Sequence, residues 1–289
     1  MPSLRQSIET QIRGLMSASP DARRIPDAEG DAGLFGPASA CWRVHGDFTT
    51  MMVGGTAALL MQMLHPVALA GVWDHSNFRQ DMLGRLRRTA RFITWTTYGP
   101  TADAEAAIAQ VRKVHDRVKG TTPDGRVYSA HDPDLLTWIH VAEVWCFLRA
   151  YMVHRDPTFS PAEQDRYFAE TALVARKLGA RDVPDSRATV QAYLAAMQPA
   201  LRYDERTRAV AEALLEQPIP DNRIRPFVRL IFDAARELLP DWAAGLHGFA
   251  RRGGAATRLG VQGLGGVMRW ALRNGAESRA RRRTALQGR

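Results

Sequence analysis

Cysteine is almost missing from this chain: Cys41 and Cys146 are the only two in 289 residues. They form neither a disulfide framework nor a zinc-ligand pattern, and their separation is unlike that of a redox pair, which leads to an expected cytoplasmic location. Alternating runs rich in β-branched residues are scarce, which argues against a sandwich or barrel and leaves helices. No internal repeat is present. No glycine-rich phosphate loop is present either, since Gly253-Gly254 and Gly263 to Gly266 lack the preceding strand that such a loop requires. The longest apolar run, Phe48 to Leu64, is broken by Thr49, Thr50, Gly54, Gly55, Thr56 and Gln62, so it reads as a buried core helix and not as a bilayer span. The opening MPSLRQSIETQIRGLM lacks the apolar stretch and small-residue cleavage site of a secretory leader, and none is expected.

Charge of one sign is missing from most of the chain. The net charge is +9, yet Arg251, Arg252, Arg258, Arg269, Arg273, Arg279, Arg281, Arg282, Arg283 and Arg289 face a single acid, Glu277, in the last stretch. All the excess therefore lies beyond residue 250, and the main body is balanced. A balanced body offers no basic groove, so no specific nucleic-acid partner is expected. The hydrophobic content of 45% is enough to bury a sizeable core.

What is present is a series of helix signals. Asp132-Pro133 ahead of LLTWIHVAEVWCFLRAYMV supplies an N-cap and a proline at the first helical position. Ser160-Pro161-Ala162-Glu163 is a capping box opening a helix towards Gly179. Residues 102 to 119 read as a helix with Asp103 and Glu105 in its first turn, where the helix dipole favours acids. Further helices are expected near 47–64, 79–97, 187–198, 204–216 and 225–238. The fold class is all-α, a single multi-helix domain. Residues 1–34 are expected to form an N-terminal helix and an irregular segment, and 35–248 the helical domain. Residues 249–289 make an Arg-rich tail with an amphipathic helix and a disordered end, ESRARRRTALQGR.

Candidate chemistry rests on histidines and on one arginine strip. Val111, Val114, His115 and Val118 share a face at i, i+3, i+4 and i+7, which turns His115 inward. Spacing alone favours an ordinary core histidine bonded to a carbonyl. Arg112 is placed to reach round the edge of any pocket there. His140 sits in a helix apolar on nearly all sides and is expected to be buried. In Gly84-Arg85-Leu86-Arg87-Arg88-Thr89-Ala90-Arg91-Phe92, the residues Arg85, Arg88 and Phe92 share a face next to Thr89. That strip is either a solvated basic face or a grip for an anion, such as a cofactor carboxylate, which guanidinium binds in a bidentate manner. Trp42-Arg43-Val44-His45-Gly46 is either an ordinary helix approach or a way of bringing Arg43 and His45 to a site. His65 and His75, in MQMLHPVALAGVWDHS, complete the set.

Taken together, WRVHGD, LLMQMLHPVALAGVWDHSNF, GRLRRTARF, VRKVHDRVKG, YSAHDPDLLTWIH and FLRAYMV, in that order, resemble the MpaB and latex-clearing-protein (rubber oxygenase) family over roughly residues 35 to 245. The resemblance implies a globin-like helical core that binds haem b, whose iron works with O₂ on an apolar, isoprenoid-like small molecule by oxidative C=C cleavage. It implies that His115, matching the histidine of the Val-Arg-x-x-His stretch, is the iron ligand. Arg85, Arg88 and Thr89 match a distal pattern in which Arg88 replaces a lysine; guanidinium has no free lone pair, so Arg88 is not expected to ligate iron. His140 matches a second family histidine with a supporting role. The glutamate that the rubber-cleaving branch carries upstream of the strip is not found here, and Asp74 or His75 stands nearest. His65 is expected to end a core helix, leaving His75 the better candidate near the distal pocket.

Two other readings compete with the haem oxygenase. One places a non-haem metal among His65, Asp74, His75 and His115. The other is a non-enzymatic membrane-surface protein, in which Leu264, Val267, Met268, Trp270, Ala271 and Leu272 with Arg269 and Arg273 make an amphipathic helix that associates peripherally with anionic lipid.

Overall fold

The computed structural model describes residues 30–219, 221–250, 254–272 and 275–285, together with Arg5, Glu9 and Thr10. The helix expected near the N-terminus and most of the irregular segment after it lie outside these described residues. Among them are thirteen α-helices and one two-stranded hairpin, so the protein is all-α.

The centre is built by α2 (Phe48–Gln62) and α6 (Pro133–His154). Both start where side-chain oxygens meet free amides: Asp47 accepts from the Thr50 amide, and Asp132, followed by Pro133, accepts from the Asp134 amide. The two helices touch closely at Gly54, where a Cβ would sit 2.9 Å from Phe147 Cα. Only glycine permits that approach. At the other end Gln62 Nε2 donates to the Ile139 carbonyl (2.9 Å) and Trp138 Nε1 donates to the Gln62 carbonyl (3.2 Å). Around this pair lie α1 (Ala40–His45), α3 (Pro66–His75), α4 (Met82–Tyr98), α5 (Thr101–His115), α7 (Pro161–Leu178), α8 (Arg187–Met197), α9 (Glu205–Leu215), α10 (Arg225–Leu238) and α11 (Asp241–Leu246). The helix α7 ends on Gly179 at φ +111, as the capping signals led one to expect.

Two expectations change. The helix expected over 102–119 stops at His115, and Lys119–Thr121 pairs antiparallel with Val127–Ser129, with Gly120 opposite Tyr128. A turn in which the Thr122 hydroxyl bonds Asp124 and the Arg126 carbonyl closes that hairpin. The expected disordered end is also corrected over Ala276–Ala285, which form helix α13. Ala280 packs into a buried cluster with Trp42, Trp95 and Tyr98, and the buried Arg283 guanidinium donates to the Asp31 and Tyr98 carbonyls at 2.7 Å each. These two bonds, from Nε and Nη2, offset part of the cost of burying that charge. Residues 286–289 lie outside the described set. Before α13, helix α12 (Gly254–Ala271) buries Val261 and Leu264 in the main core, against α10, α2 and α6.

Candidate functional site

The site grows from an α-hairpin. Gly99 and Pro100 turn α4 into α5, and the two helices pack along each other. Arg85 lies as far back from the turn along α4 as Val114 lies beyond it along α5, about 20 Å in each case. Arg85 and His115 therefore occupy the same, open end of the hairpin. The inward face of α5 is Ala104, Ile108, Val111 and His115. Val114 is 51% exposed, which corrects the expected stripe Val111-Val114-His115-Val118: α5 ends at His115, so that stripe is never completed as helix.

His115 is half-buried, and its Nδ1 is buried with no hydrogen-bond partner among the described residues. No hydrogen bond from these residues reaches Nε2 either. Burial first, and then the His131 ring, hold its pKa below the ordinary histidine value. The imidazole is neutral at pH 7 and keeps a lone pair to donate. His131 stands edge-on to it with ring centroids 6.0 Å apart, anchored by Asp116 at 2.7 Å. His115 is thus the unengaged member of the pair, while His131 is held through its Nε2.

The arginine strip divides. Arg85 is half-buried, donates through Nη1 to Ser76 Oγ (3.1 Å), and has no carboxylate in ion-pair reach among the described residues. Burial and then Arg88 lower its pKa to about 10, so it stays charged. A desolvated cation without a counter-ion invites an anion. Arg88 and Thr89 are exposed; Arg88 pairs with Asp81 at 3.5 Å and the Thr89 hydroxyl donates to the Arg85 carbonyl.

Other candidates are held elsewhere. Arg43 pairs with Glu163 and Asp156 and lies over the Phe159 ring, while Arg112 donates to the Lys177 carbonyl (3.1 Å). His45 is locked between Thr97 Oγ1 and Tyr167 OH, at 2.9 Å each, with its pKa lowered to about 3 by burial and then by His140. Arg43 and His45 are not brought to the His115 end; Arg112 stands there, one turn before His115 on α5, but its guanidinium is turned to the Lys177 carbonyl. His65 does not end the core helix, which stops at Gln62; it is the N-cap of α3, its Nδ1 accepting from the Ala68 amide. His75 Nε2 donates to the Lys119 carbonyl (3.1 Å), and Asp74 accepts from Tyr128 OH (2.6 Å). The donors proposed for a non-haem metal are thus mostly spent on structure, and no group of three or more His, Cys, Asp or Glu among the described residues could hold an ion.

A second group joins the anticipated His140 to Glu143, which was not anticipated. The two, one turn apart on α6, are half-buried in a helix whose other residues nearby, Val141, Ala142 and Val144, are buried. His140 Nε2 has no partner among the described residues, and burial followed by Arg176 lowers its pKa to about 4. Glu143 has no hydrogen bond or ion pair among them, and burial alone raises its pKa to about 7. A carboxyl poised there can hold or release a proton near neutrality. Its signal in the sequence was a lone acid in a helix apolar on all sides. The spacing His-x-x-Glu is the reverse of the familiar Glu-x-x-His pair.

The all-helical domain thus places an unengaged imidazole and a guanidinium without a counter-ion among the described residues at the same end of one helical hairpin. Residues 42–270 match the family described as ER-bound oxygenase mpaB/B'/Rubber oxygenase, catalytic domain, and the chain belongs to that family. It carries an oxygenase-type catalytic domain, whose partners are O₂ and a substrate to be oxidised. No curated protein and no solved structure matches.

Proposed function

We propose that the protein is a haem b-dependent oxygenase acting with O₂ on an apolar, isoprenoid-like small molecule, with oxidative C=C cleavage as its reaction. The observation that carries this is His115: neutral, inward, and with neither nitrogen engaged by a described residue. Haem fits these residues because one protein imidazole suffices where porphyrin supplies the other ligands. Bound haem would supply the binding and activation of O₂. His115 would hold the iron from one side. Arg85 would neutralise a carboxylate such as a haem propionate, a charged hydrogen bond worth about 1.5 to 3 kcal/mol. Arg88 and Thr89 stand at the solvent side of the same helix, where they can hydrogen-bond a polar group entering the site. Glu143, with its pKa raised to about 7 by burial, can hold or release a proton on a carboxyl oxygen one turn from the neutral His140, in a second group on α6.

Absorbance of the purified protein tests the reading. A Soret band is expected in the wild type and in His131→Ala, and its loss or displacement in His115→Ala. A full haem complement with unchanged bands in His115→Ala would refute the assignment.

A further inference from the structure

Four of the large apolar side chains left in water, Phe227, Leu259, Val267 and Trp270, lie on two neighbouring helices. Helix α12 runs antiparallel to α10: Thr257 Oγ1 donates to Glu237 Oε1 (3.0 Å), and three residues on Gly260 meets Leu230. Its inner face buries Thr257, Val261 and Leu264. Its outer face carries Leu259 (67% exposed), Val267 (46%) and Trp270 (43%), spaced as one stripe, with Gly263 and Gly266 between them opening onto empty space. The antiparallel register brings Phe227 of α10, 48% exposed, level with the middle of this stripe. This revises the stripe read from the sequence, in which Leu264 and Ala271 were outward; both are buried.

The charge around the stripe is mostly positive. Arg223, Arg225, Arg229 and Arg258 are exposed and their side chains make no ion pair or hydrogen bond among the described residues. The nearby acids are engaged: Asp233 pairs with Arg236, Glu237 accepts from Thr257, Asp221 accepts from the Arg223 amide, and Asp47 pairs with Arg269. Arg225 and Arg229, with Asn222 and the Arg236-paired Asp233, line a shallow groove of about 440 Å³ that also takes in Pro226 and Leu230. No single helix among the described residues is long and apolar enough to cross a membrane.

From this we infer that the α10–α12 face docks on an anionic lipid surface, with Leu259, Val267, Trp270 and Phe227 entering the headgroup layer and the four arginines meeting lipid phosphates and carboxylates. Unpaired cations around an apolar ridge, with an indole at its edge, are the chemistry of an interfacial anchor. A protein partner would need acids of its own against the same arginines; that outcome is separated below.

Co-sedimentation with phosphatidylcholine vesicles, with and without phosphatidylserine, tests the inference on the full chain. Binding to the serine-containing vesicles alone is expected. Arg225→Ala/Arg229→Ala should weaken it roughly 25-fold, since each basic residue at such a surface is worth about fivefold, and Trp270→Ser should weaken it independently of salt. Arg181→Ala, exposed elsewhere, should leave it within a factor of a few. Circular dichroism and Soret absorbance check that each variant is folded; absence of haem in all of them would refute the proposed function and leave this test standing. Equal sedimentation by wild type and the double variant would overturn the inference. So would self-association that Trp270→Ser abolishes in the absence of lipid, which would assign the face to a second copy of the chain.

Discussion

Replacing Glu143 by glutamine removes an ionisation and almost nothing in shape, so it isolates what burial of that carboxyl costs. Burial alone raises its pKa from 4.5 to about 7. In the unfolded chain the group releases its proton near 4.5, while the folded protein keeps it to about 7; between those values the native state binds more protons. Stability from this group is therefore complete below pH 4.5 and is lost as pH rises through about 7. At ~1.4 kcal/mol per pH unit the gap corresponds to about 3 kcal/mol, and screening of the part of the carboxyl still open to solvent reduces the expected effect to about 2 kcal/mol. The buried histidines act in the opposite sense. His45, His140 and His154 are lowered to about 3, 4 and 4, so their contribution is present above 6.5 and is lost as pH falls. Urea unfolding of both proteins at about pH 5 and about pH 8 cancels the histidine terms, because only the difference between the proteins at each pH is compared. Glu143→Gln should be near neutral at the lower pH and more stable than wild type by about 2 kcal/mol at the higher. A difference that does not change with pH would refute the reasoning.

Gly54→Ala should cost about 1 to 3 kcal/mol in thermal melts, because its Cβ would stand 2.9 Å from backbone that cannot move aside; Gly55→Ala, with its nearest neighbour at 3.5 Å, should be neutral or stabilising by up to about 1 kcal/mol. Equal melting temperatures for the two variants would contradict the close approach of α2 and α6. Arg85→Leu should lower retained haem well below that of Arg88→Leu, since Arg85 is a half-buried unpaired cation and Arg88 holds one exposed ion pair worth about 0 to 1 kcal/mol. The comparison is read from the Soret absorbance per chain, and the reverse order would place the anion on the outer side of the strip.

What could be read in the chain before its structure was whatever neighbouring residues decide. Asp132-Pro133 starts α6 and Ser160 starts α7 because a cap bonds amides two or three positions on. His115 could be turned inward from its spacing, although Ala104 and Ile108 set that face and Val114 does not. Partners brought from afar could not be read. Arg43 meets Glu163 and Asp156, Arg112 meets the carbonyl of Lys177, and His45 meets Thr97 and Tyr167, each across a gap in sequence that no periodicity encodes. Glu143 was passed over because a single acid does not disturb the pattern of an apolar helix, while its pKa depends on every element packed around it. Arg85 and Arg88 show the limit most plainly. They are the same residue one turn apart on one helix, and the face that joins them in a helical projection places one against Ser76 inside the fold and the other against Asp81 in solvent. Periodicity groups residues by angle about their own axis; whether that angle meets protein or water is set by what packs beside the helix, and here the boundary falls between Arg85 and Arg88.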